Sequence, residues 1–119
     1  MAKSDKKSDK CACGFEAAEF SSALSSIENR IGEMRVYENK LAPSLVDIYQ
    51  KVAGHALEHL HGIRDECSID TTKEEKLLME LQTDLSQINN SEKRNELADK
   101  TSSIIIGTRE KLHKCKYEK

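Results

Sequence analysis

From Phe20 onward, large apolar residues return at alternating steps of four and three, and a chain with that rhythm buries one face only by packing helix against helix. The first run, Phe20, Leu24, Ile27, Ile31, Met34 and Leu41, is interrupted only at Glu38 and predicts an amphipathic helix ending near Leu41 or Ala42. Pro43 disfavours the α conformation at Ala42 and suits a first helical turn. A second helix is therefore expected from there to Cys67, carrying Leu45, Ile48, Val52, Ala56, Leu60 and Ile63 inward. Thr72 followed by Glu75 has the pattern of a capping box ahead of Leu77, Leu78, Leu81, Leu85 and Ile88. Asn89-Asn90-Ser91 supplies a stop and a new N-cap, beyond which Leu97, Thr101, Ile104, Thr108, Leu112 and Cys115 line a fourth helix.

Short connections between such helices favour antiparallel neighbours, so the expected fold is an all-α, up-down-up-down four-helix bundle over residues 13–119. Residues 1–12 are polar and lysine-rich, without periodicity, and are expected to form a flexible tail. The alternative treats Pro43 as a kink in one long helix, giving an elongated antiparallel two-helix hairpin that pairs with a second copy to bury enough surface. Composition agrees with either: 34% charged, 37% hydrophobic and 4% aromatic residues with one proline argue against a β-sandwich. The longest run of large apolar residues is Ile104–Ile106, far short of the about 20 that span a bilayer. The opening residues contain no apolar core of a secretory leader, so a reducing cytoplasm is the expected setting.

Up-down-up-down topology has a chemical consequence. It brings Cys11 and Cys13, ahead of the first helix, together with Cys67 and Cys115, at the ends of the second and fourth, to one pole. Four thiolates at one point bind zinc tetrahedrally or hold an iron–sulfur cluster, so these four residues are the candidate metal ligands. Two other readings stand beside that one. The thiols are unlinked, with Cys67 and Cys115 acting as small buried apolar groups, or they form disulfides, which a reducing compartment disfavours.

The histidines offer a second motif, which geometry rejects. Glu58 with His61, and Glu110 with His113, resemble the paired E-x-x-H ligands of ferritin-like di-iron bundles, but such ligands project into the bundle. On helices of about 100° per residue these four lie more than about 130° from the apolar stripes and face solvent. His55 and His59 share one face, and His59 borders the core; a hydrogen-bonded structural role is expected for it. No phosphate-binding glycine loop and no serine–histidine–acid constellation is present, and Ser21, Ser22, Ser25 and Ser26 form a small solvated surface.

The 19 basic and 21 acidic residues give a net charge of −2, so no whole-chain attraction to nucleic acid or acidic lipid is expected. A local basic pole, Arg109, Lys111, Lys114, Lys116 and Lys119, leaves room for such contact without aromatic residues to stack on bases. The leading expectation is a non-enzymatic helical scaffold or adaptor, acting by self-association or on another helical protein. The alternative is a metal-binding or thiol-redox protein that uses the four cysteines.

Overall fold

The computed structural model describes the backbone of residues 14–117 and the side chains of residues 14–114. The expected tail 1–12, with Cys11 and Cys13, lies outside these residues, as does the side chain of Cys115. Four helices form an all-α bundle: α1 (Gly14–Tyr37), α2 (Pro43–Cys67), α3 (Thr72–Asp84) and α4 (Ser91–Tyr117), with a 3-10 turn at Leu85–Gln87 after α3. Each helix packs on its neighbour in sequence, and α4 closes the ring against α1. The two-helix hairpin is thereby replaced by the bundle, because the chain leaves the helical conformation well before Pro43.

That exit occurs at Glu38, which adopts the left-handed conformation with φ 52°. α1 therefore stops four residues short of Leu41, while its face Phe20, Leu24, Ile27, Ile31 and Met34 is buried as expected. Leu41 is still buried, now from a loop. The apolar rhythm continued through it because the residue fills the core, whichever backbone carries it. Asn89 holds that loop in place: the Leu41 N–H donates to Asn89 Oδ1 at 2.8 Å, and Asn89 Nδ2 donates to the Leu41 carbonyl at 3.0 Å.

α2 begins at Pro43 and ends at Cys67, where Ser68 turns left-handed with φ 55°. Its inner face differs from the expectation. Ala53, Ala56, Leu60, Ile63 and Cys67 are buried, with Val46, Tyr49 and the expected Val52 packed against them, whereas Leu45 and Ile48 are exposed. The residues 46, 49, 53, 56, 60, 63 and 67 keep one phase along the helix; Leu45 stands roughly 50° and Ile48 roughly 110° away from its centre. Small Ala53 lies on the true seam and gives little hydrophobic signal, which is why the larger off-seam residues mislead.

The start of α3 is capped differently from the expected Thr72 box. Asp70 Oδ1 accepts the Thr72 N–H at 3.0 Å, and the Thr71 hydroxyl donates to Glu75. Leu78, Leu81, Leu85 and Ile88 are buried, and Leu77 is half-buried. At α4 the expected cap is found: Asn90 Oδ1 accepts the Lys93 N–H at 3.0 Å. Leu97, Thr101, Ile104 and Thr108 are buried behind it, with Leu112 half-buried.

Two glycines let helices carry polar groups close to a neighbour's backbone. A Cβ on Gly62 would lie 2.7 Å from Glu16 Cδ, and one on Gly107 2.6 Å from Glu74 Oε2, so each glycine opens a notch for a carboxylate. Both notches lie toward the same end of the bundle.

Candidate functional site

The end formed by the start of α1, the end of α2, the start of α3 and the last turns of α4 is the one to which topology assigns the cysteines. Cys67 is 5% exposed, in the last turn of α2, and is disulfide-bonded. Its partner sulfur lies outside the described side chains. In this oxidised state Cys67 offers no thiolate to a metal ion. The backbone of Cys115 lies on α4, one turn beyond Lys111. Lys111 Nζ donates to the Asp70 carbonyl at 2.7 Å, which fastens this part of α4 beside the turn that follows Cys67.

Three polar clusters surround the pole. The Lys111 ammonium also meets Glu74 Oε1 at 2.8 Å, and Glu74 is almost fully buried in the Gly107 notch. A carboxylate so placed needs its cation, since a buried charge without a partner costs several kcal/mol, of order 3–5. Nearby, hydrogen bonds from Thr72, reinforced by the Lys111 charge, hold the Asp70 carboxyl below the usual carboxylate range. In the second cluster Glu75 receives Arg64 Nη1 at 3.2 Å and lies 3.3 Å from His61 Nε2.

The third cluster pairs His59 Nδ1 with Glu16 Oε1 at 2.6 Å, and the Phe15 ring meets the His59 ring edge-on at 6.1 Å between centroids. His59 is thus the hydrogen-bonded boundary residue expected of it, although its partner comes from α1 and was not signalled by spacing. His55 does not share a ligand with it: its nearest carboxylate is Glu58, at 3.9 Å on the same helix. Glu58, Glu110 and His113 are exposed, whereas His61, expected to face solvent with them, is half-buried beside Glu75 of α3. Among the described residues, no group of three or more histidine, cysteine, aspartate or glutamate side chains is arranged to hold a metal ion. No described helix is long and apolar enough to cross a membrane.

Of the basic residues expected at this pole, Lys111 is committed to Glu74 and the Asp70 carbonyl, Arg109 and Lys114 are exposed, and Lys116 and Lys119 fall outside the described side chains. The residue that patterning missed lies at the opposite pole. Arg94 is buried to 6% exposure and donates to the carbonyls of Ile88 at 2.9 Å and Asn89 at 3.2 Å, with a longer contact of 3.5 Å to that of Met34. It joins the end of α1 to the turn before α4. An arginine one turn into a helix, on the face of Leu97 and Thr101, was the available signal. Comparison with protein-family models, curated proteins and solved structures finds no match for this chain.

Proposed function

We propose that the protein is a helical scaffold that associates with a second copy of itself through the outer face of α2. The observation that carries this reading is an exposed apolar pair on α2: Leu45 is 39% and Ile48 51% exposed.

Charge favours a second copy as the occupant. Asp47 and Lys51 lie beside Ile48 on its α3 side and pair with each other across one turn, at 3.3 Å and well exposed. An antiparallel copy related by a two-fold axis level with Tyr49 packs the two Leu45–Ile48 patches together and sets each Asp47 opposite the other Lys51, so the flank is self-complementary. The apolar area is small, which makes the association weak and concentration-dependent. Sedimentation equilibrium tests it: the wild type shifts from monomer to dimer with rising concentration, and Ile48→Glu stays monomeric with an unchanged helical spectrum. A wild-type chain that is monomeric at every concentration, or an Ile48→Glu variant that dimerises as well as the wild type, refutes the reading.

One observation favours a second reading, in which the cysteine pole is a thiol–disulfide clasp: the buried Cys67 carries a disulfide. Oxidising surroundings close the clasp, whereas in a reducing cytoplasm Cys11, Cys13, Cys67 and Cys115 become thiolates that suit zinc or an iron–sulfur cluster. Four titratable thiols in air-oxidised, denatured protein would remove the clasp. Reduced protein that takes up neither zinc nor iron would remove the metal site.

A further inference from the structure

At the pole opposite Cys67, a solvent-open cavity of about 510 Å³ lies between the end of α1, the loop that follows it and the start of α4. Its volume is within the range of small-molecule sites. Arg35, Lys40 and Arg94 line it, against a single carboxylate, Glu38. The sign of charge there is opposite to that of the chain as a whole, which is −2.

Among the described residues, no carboxylate neutralises any of the three cations. The hydrogen bonds of Arg94 all go to main-chain carbonyls, which orient the guanidinium and leave its unit charge uncancelled. Those bonds engage three of its five N–H groups. Arg35 and Lys40 enter no ion pair among the described residues, whereas Arg30 on α1 and Lys93 on α4 are each paired with a glutamate three residues on. Burial of an arginine is costly unless a counter-charge is near, and the cavity is where one can reach it. The wall also offers the carboxamides of Asn89 and Asn95 and the hydroxyl of Ser91.

We infer that this cavity binds a phosphomonoester group. A tetrahedral dianion presents three terminal oxygens and balances the excess of cations, and the wall answers with a planar guanidinium fork, an ammonium and neutral donors. A carboxylate, with one charge and two coplanar oxygens, leaves part of that positive charge uncompensated. Glu38 opposes the ligand and sets the affinity below what the cations alone would give.

The test is a two-dimensional amide NMR titration of the full chain with inorganic phosphate at constant ionic strength, with sodium chloride and sodium acetate as controls. Vesicles of phosphatidylcholine with and without phosphatidic acid provide a second arm. Saturable shifts are expected at Arg35, Lys40, Ser91 and Asn95 with phosphate alone. The Arg35→Gln/Lys40→Gln double variant, which leaves the Arg94 bonds intact, should weaken binding by about tenfold. Glu38→Gln should tighten it by about threefold. Phosphate shifts together with sedimentation on phosphatidic acid vesicles identify a lipid headgroup as a source of the group; phosphate shifts without vesicle binding identify a soluble phosphomonoester. Absence of shifts, equal shifts with chloride or acetate, or shifts untouched by the folded double variant would overturn the inference.

Discussion

Replacing Asn89 with alanine removes both hydrogen bonds to Leu41, of 2.8 and 3.0 Å, and leaves the N–H and carbonyl of a buried residue without their partner. Each orphaned main-chain group costs on the order of 1–3 kcal/mol when fully buried. The bonds are only partly buried, so water recovers some of that loss, and a total of about 2 kcal/mol is expected. For a domain of this size the corresponding fall in Tm is about 10 °C. Asn90→Ala removes an N-cap instead and should cost about 1 kcal/mol. Urea unfolding of both variants measures the difference, and amide exchange at Leu41 localises it: faster exchange is expected in Asn89→Ala and wild-type behaviour in Asn90→Ala. An Asn89→Ala variant within about 0.5 kcal/mol of the wild type, or Leu41 exchange unaffected by it, would refute the assignment of that asparagine as the clamp between the two loops.

Three further outcomes can be checked by the same unfolding measurements. Thr108 is buried with its hydroxyl unpartnered, whereas the Thr101 hydroxyl donates to the Leu97 carbonyl at 2.7 Å, so Thr108→Val should stabilise by about 1 kcal/mol and Thr101→Val should not. Glu38→Gly and Ser68→Gly relieve left-handed backbone at two helix ends, and each should raise stability by about 0.5–1 kcal/mol. Burial works against the charge of Lys100, but hydrogen bonds to Glu80 and Asp84 outweigh it and raise the pKa above the usual lysine value. Because the folded value is the higher one, this contribution is fully present below the unfolded lysine pKa and is lost as pH rises through the folded one. Alkaline titration of unfolding should show that loss in the wild type and not in Lys100→Met.

The four-helix plan was legible because Phe20 to Met34, Leu78 to Ile88 and Leu97 to Thr108 each bury a single clean phase. Leu45 and Ile48 were misread for a physical reason: large apolar side chains weigh the same in a pattern whether they face a core or solvent, and Ala53 scarcely registers. Neighbouring asparagines illustrate the other limit. Asn90 does what its local position implies, since a cap is a contact within one turn, but the bonds from Asn89 to Leu41 depend on two loops meeting. The same holds at the cysteine pole, where the Glu16 partner of His59 and the Lys111 partner of Glu74 come from other helices. Counting residues along one helix cannot supply a cross-helix partner.

The self-complementary α2 face is tested most directly by reversing its charges. Asp47→Lys alone places like charges opposite one another in the antiparallel pair and should abolish dimerisation in sedimentation equilibrium, while adding Lys51→Asp restores the complementarity in reversed order and should recover it. A single reversal that dimerises like the wild type, or a double reversal that fails to recover although folded, would contradict the proposed pairing.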